Sequence, residues 1–271
     1  MLGKTRQAFY KHQKQAIQAD SNTKIMRTWV LEIRSELPRI GSRKLYHLLK
    51  PKMEKHQIKL GRDKFFAFMK KEGLLAHLRR KYTKTTFSHH WLKKHPNLIK
   101  GLNITKPEQV WVADITYVKT MEGYCYLHLI TDAYSRQIMG YCFSDSLATE
   151  CSLKALSKAL SKRKFTSKLI HHSDRGIQYC SYAYINMLAK NNILASMTEN
   201  SDPYENAIAE RVNGILKQEF YLDEDFNTKQ TATMAVDQAI NLYNYKRPHL
   251  KLNFKTPNQV HNLVSEAVNL F

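Results

Sequence analysis

The chain has 271 residues with a net charge of +20, and its hydrophobic fraction of 43% is enough for a substantial core. No stretch approaches the ~18 uncharged apolar residues of a membrane span, and the N-terminus has no apolar signal-peptide segment, so a cytoplasmic protein is expected. Residues 1–100 hold 25 Lys and Arg against 6 Asp and Glu, whereas the rest hold 18 against 17; this asymmetry points to a nucleic-acid-binding module joined to a near-neutral domain.

The N-terminal third reads as short helices. Thr23 to Leu37 places Ile25, Trp29, Leu31, Ile33 and Leu37 near helical spacing, and Pro38 ends the run. A second helix restarts at Ser42, an expected N-cap, with Leu45, Leu48 and Leu49 on one face. A third carries Phe65, Phe66, Met69 and Leu74, with Gly73 as its stop. Short, basic helices with tight turns fit a helix-turn-helix; a plain helical bundle has the same spacing, and the charge favours DNA. His77 to Lys100 reads as a basic linker able to track phosphates.

Beyond Pro107 the texture changes. QVWVADITYV, YCYLHLITDAYS and RQIMGYCFS read as three strands of a meander, turning at Glu122-Gly123 and Ser135-Arg136. A helix with Leu153, Leu156 and Leu160 follows, then a strand at KLIHHS, a helix at SYAYINMLAKNN and a strand at ILASMT. A long helix entered through Pro203 and another at TATMAVDQAINLYNYK complete a β-β-β-α-β-α-β-α order, a mixed sheet with helices on its faces. Cys125, Cys142, Cys151 and Cys180 have no zinc-site spacing and are expected as buried free thiols.

Asp114 lies within an apolar strand, Asp174 ends the fourth strand, and Glu210 lies on the long helix with 35 residues between it and Asp174. Three gathered carboxylates repel one another unless divalent cations lie among them, and Mg²⁺ prefers such oxygen ligands. Each has an ordinary reading: a strand-end residue, a turn-forming Asp before Gly176, or a solvated helix residue. Asp132, Glu199, Asp202 and Glu205 compete for the same roles.

WVADITYV, LITDAYSR, HSDRGIQY, YENAIAERVNGILKQEF and YNYKRPH with a following TP, in this order, resemble the OrfB transposases of the IS-three family, members of the DDE transposase and retroviral-integrase superfamily. The resemblance runs from about Lys44 to Val260. It implies an RNase H-like mixed five-stranded sheet with flanking helices, preceded by a small basic helix-turn-helix-like domain. The implied divisions are 1–80, the helical DNA-binding region; 81–105, the basic linker; 106–222, the catalytic core; and 223–271, a C-terminal helical extension.

The same resemblance assigns Asp114, Asp174 and Glu210 as the catalytic, metal-holding triad, taking two Mg²⁺ ions with Mn²⁺ as substitute. It implies cleavage at insertion-sequence ends and strand transfer without a covalent protein intermediate. The alternatives are a nuclease that does not join strands and an inactive DNA-binding regulator. Arg62, Lys64, Arg79, Arg80, Lys81, Arg211 and Lys217 are the expected DNA contacts. Arg211 stands where the family usually has Ser, and the Tyr243–His249 block reads as packing. Expected partners are duplex DNA (terminal repeats and target), further copies of the chain in the active complex, and an upstream-frame product supplying a helix-turn-helix segment. A nucleoid-associated location follows.

Overall fold

The computed structural model describes residues 6–76, 91–165, 167–199 and 206–268. The chain divides into two compact units, Met1–Leu78 and Arg79–Phe271.

The first unit is three helices: α1 (Arg6–Glu36), α2 (Ser42–Lys55) and α3 (Arg62–Lys71). The buried face of α1 is Met26, Trp29 and Val30, with Leu37 just beyond its end. Ile25 and Leu31, expected on that face, are exposed, because i, i+3, i+4 spacing from Met26 points them away. Phe66 is likewise exposed, and Phe65, Phe68 and Met69 fill the core. Gly41, not Ser42, occupies the N-cap of α2, and no side chain caps it. Gly73 ends α3 with φ +66°, as its position predicts.

The second unit is built on a five-stranded sheet: β1 (Val110–Thr120), β2 (Gly123–Asp132), β3 (Ile138–Ser144), β4 (Leu169–Ser173) and β5 (Ile193–Met197). Its order is β3-β2-β1-β4-β5, antiparallel across the meander and parallel from β1 to β5. This is the RNase H-like mixed sheet expected. Helices α4 (Thr149–Ser161), α5 (Ile177–Cys180) and α6 (Tyr182–Lys190) join the core formed by Trp111, Ala113, Ile130, Leu156 and Leu169. Helix α7 (Ala207–Glu219) packs through Ala209 against Val110 and Val112. Strand alternation therefore turns the even residues of β1 near Val112 toward α7 and the odd ones toward α4.

Two helices follow, α8 (Lys229–Tyr245), entered by a Thr228–Thr231 capping box, and α9 (Pro257–Val268). Both belong to the second unit, as do residues 91–105 of the stretch read as a linker. There the Met197 N–H donates to the Pro96 carbonyl, the Leu98 N–H donates to Ser196 Oγ, and Ile99 packs beside Val110.

The cysteine expectation is corrected. Cys142 of β3 and Cys151 of α4 form a disulfide, with Cα atoms 5.5 Å apart, because the short connection folds α4 back onto β3. Cys125 and Cys180 are free and buried. At the opposite end of the sheet, buried Glu108 accepts N–H bonds from Lys164 and Phe165 and meets His261 Nε2 at 3.3 Å. His261 Nδ1 lies 2.9 Å from Ser135 Oγ, which tethers α9 to the β2–β3 turn. Among the described residues no helix is long and apolar enough to cross a membrane.

Candidate active site

The pairing of β1 with β4 positions the first two carboxylates. Val110 lies beside Ile170 and Val112 beside His172. Continuing that parallel register by two residues brings Asp114 level with Asp174, the first residue past β4. Asp114 faces α7, where its Oδ2 accepts a 2.7 Å hydrogen bond from Asn213 Nδ2, and its Oδ1 accepts the Ile115 N–H at 2.9 Å. Asp174 Oδ1 accepts the Gly176 N–H at 3.0 Å, which folds the chain sharply into α5. A Cβ on Gly176 would lie only 3.0 Å from that same oxygen.

Burial pushes the Asp114 carboxyl up to about 7, and the charges of Asp174 and Glu210 push in the same direction, against the two hydrogen bonds. The three expected carboxylates are therefore electrostatic neighbours. Burial also raises Glu210, on the first turn of α7. Among the described residues no three His, Cys, Asp or Glu side chains are drawn together closely enough to hold a metal ion.

Two of the four competing carboxylates are engaged elsewhere. Asp132 is buried at the far end of β2, where it accepts from Ser135 N–H and Oγ–H, Tyr134 N–H and Glu108 N–H. Glu199 pairs with Lys100 at 3.6 Å. Asp202 and Glu205 lie outside the described residues, as do Arg79, Arg80 and Lys81.

Residues 104–203 match the integrase core domain family, and residues 191–257 match a second integrase core domain family. The 31 kDa protein of insertion element IS600 from Shigella sonnei is 35% identical over 231 residues, spanning 84% of this chain and 85% of that one. The IS904 transposase of Lactococcus lactis is 35% identical, spanning 69% and 78%. The transposase InsF of IS3A from Escherichia coli K12 is 33% identical, spanning 72% and 69%. The chain belongs to the integrase-core transposases of insertion sequences. Among solved structures it is similar to the catalytic core of HTLV-2 integrase in complex with magnesium, at 20% identity and TM-score 0.46, spanning 58% of this chain and 97% of that one.

Within this transposase core, Lys217 lies two turns beyond Glu210, with Nζ 3.9 Å from the centroid of the Tyr117 ring. Burial lowers its ammonium pKa, and the charges of Asp114 and Asp223 oppose that shift. Arg211 is exposed on the neighbouring face of α7. Arg62 and Lys64 are exposed at the start of α3 in the first unit, where Arg62 pairs with Asp63.

Three residues near the carboxylates were not singled out for these contacts by sequence reasoning. Asn213 orients Asp114, and the Asn206 side-chain amide donates to the Ala113 carbonyl at 3.1 Å, pinning the start of α7 to β1. Tyr179 is buried, and its phenol is pushed well above 10 by burial, by Tyr184 and by Asp174 and Asp114. The available signal was spacing: Asn213 is one helical turn from Glu210, so it shares the face turned to the first strand.

Proposed function

We propose that this protein cuts DNA at the ends of an insertion sequence and joins the freed strand to a second duplex, using Asp114, Asp174 and Glu210. The observation that carries this reading is the electrostatic coupling of Asp114 to both other carboxylates, within an integrase core.

The chemistry of the donor set suits a divalent cation. All three donors are carboxylate oxygens, the set that Mg²⁺ prefers. Burial, and after it the charges of Asp174 and Glu210, hold Asp114 at a raised pKa, which a bound cation would reverse. Asn213 Oδ1 is buried with no hydrogen-bond partner in this cluster. Mg²⁺, with Mn²⁺ as a substitute and two ions per site, would supply Lewis acidity and charge neutralisation for phosphodiester exchange. The protein's part is positioning: Asn213 and the Ile115 N–H orient Asp114, and the Gly176 N–H orients Asp174.

Hydrolysis frees a 3′-OH at the element's end, and that hydroxyl then attacks a second phosphodiester. Each step exchanges one P–O bond for another, so no Ser or Tyr nucleophile is required. The basic first unit, including Arg62 and Lys64, holds duplex DNA through its phosphates, together with Arg79, Arg80, Lys81, Arg211 and Lys217. The active complex contains more than one copy, so that two ends are brought together, and an upstream-frame product contributes end recognition. The protein works in the cytoplasm on the nucleoid.

The test is cleavage and joining of a labelled duplex carrying the element's terminal repeat, with Mg²⁺ and with EDTA, for wild type and Asp174→Asn. Metal-dependent joined product that vanishes in the variant is expected. Cutting without joining would instead mark a nuclease. Tight binding without either reaction, in the frame-fused protein as well, would mark a regulator.

A further inference from the structure

The Tyr243–His249 block makes contacts that ordinary packing does not require. Arg247 is 2% exposed, and its guanidinium forms a two-pronged bond to Glu219, Nε to Oε2 at 2.8 Å and Nη2 to Oε1 at 2.7 Å. Glu219 is the last residue of α7, the helix that carries Glu210. Glu219 is nine positions beyond Glu210, roughly 13 Å along the axis.

The arginine is itself anchored to the sheet. Asn244 accepts the Ile138 N–H at 2.9 Å and donates to the Ile138 carbonyl at 3.0 Å, an in-register clamp on the backbone of β3. Tyr243 donates its hydroxyl proton to the Arg136 carbonyl, and the His249 ring stands edge-on against it at 5.0 Å. A rigid path therefore runs from β3 through the end of α8 and Arg247 to the far end of α7. At the near end, Asn206 and Asn213 tie the same helix to β1.

We propose that the Tyr243–His249 block is a brace that sets the axial position of α7, with Arg247 and Glu219 as positioning residues for Glu210. The inference rests on the reading of Glu210 as the third carboxylate. A buried two-pronged pair fixes both distance and orientation, which a single contact would not. A helix is stiff over this length, so a slip at Glu219 moves Glu210 relative to Asp114 and Asp174. The brace acts on metal affinity, not on grip of the DNA.

The experiment compares full-length wild type, Arg247→Lys and Glu219→Gln. Two quantities are titrated with Mg²⁺: the unfolding temperature, and the rate of cleavage of a labelled terminal-repeat duplex. Binding of the same duplex in EDTA is measured alongside. In Arg247→Lys the Mg²⁺ concentration at half-effect should rise about tenfold in both titrations, with DNA affinity in EDTA unchanged within about twofold. Glu219→Gln, which keeps volume and one acceptor, should shift both in the same direction by less; it carries the test if Arg247→Lys does not fold. Unchanged half-effect concentrations, even with a lowered unfolding temperature, would overturn the brace and leave a packing contact. A wild type whose unfolding temperature ignores Mg²⁺ would overturn the carboxylate reading, and the brace with it.

Discussion

Asn213 donates to Asp114 across the gap between α7 and β1, at 2.7 Å. The helix that carries the third carboxylate thereby orients the first. Asn213→Leu removes one of the two hydrogen bonds that stabilise the Asp114 anion, so its pKa should rise further. Cleavage at neutral pH should fall by about 10- to 100-fold, with partial recovery at pH 9. A pH–rate profile at fixed Mg²⁺ that keeps the wild-type shape would refute this role.

Asp114→Asn should abolish cleavage and yet stabilise the metal-free protein, by about 1–3 kcal/mol. Above pH 7 the amide removes a half-buried charge beside two others, and it can still bond Asn213 if that side chain flips. The pH dependence has a definite sign. Asp114 holds its proton to about pH 7 in the folded chain, against an ordinary value of 3.8. The folded state therefore binds more protons across that window, and this contribution to metal-free stability is lost as pH climbs through it. Urea titrations at pH 5 and pH 8 should show the loss in wild type and not in the variant.

Two buried histidines act in the opposite direction. Burial holds His128 at about 4 and His171 at about 3, so both are neutral when folded. Unfolding lets each take up a proton below about 6.5. Their contribution to stability is present above that pH and is lost as pH falls toward 4 and 3. His128→Gln, which can keep a hydrogen bond to Ser152 Oγ, should flatten the acid limb of the stability curve. An acid limb unchanged in slope would exclude His128 as a contributor.

Gly140 lies where α4 crosses β3 most closely. A Cβ there would overlap the Ala155 carbonyl oxygen and lie 2.7 Å from the Ala159 nitrogen, both backbone atoms of the helix. Gly140→Ala should destabilise the second unit by about 3 kcal/mol or more. A melting temperature within a degree of wild type would show that α4 can move aside at no cost.

Much of the second unit was legible in the chain. Alternation gave the three meander strands, Gly123 and Arg136 marked their turns, and ordered motif blocks pointed to the integrase core. These signals are local: they depend on a strand's two-residue period, a turn's backbone and short spacings along a helix. The first unit was less legible. Ile25 and Leu31 shared a hydrophobic run with Trp29, but the buried stripe centres on Met26, Trp29 and Val30, which leaves Ile25 at its edge and Leu31 on the far side. The Cys142–Cys151 bond also escaped the reading, since two cysteines nine residues apart meet only if the chain folds back between them.

Legible in the chain alone were most of the element order, the basic N-terminal third and three carboxylates spaced as the resembled family spaces them. Packing alone sets Val112 of β1 beside His172 of β4, two residues short of Asp114 and Asp174, lets Asn213 orient Asp114, and brings Arg247 onto Glu219. Those pairings span 60, 99 and 28 residues. Contacts at such separations depend on sheet register and helix packing, which no local pattern encodes.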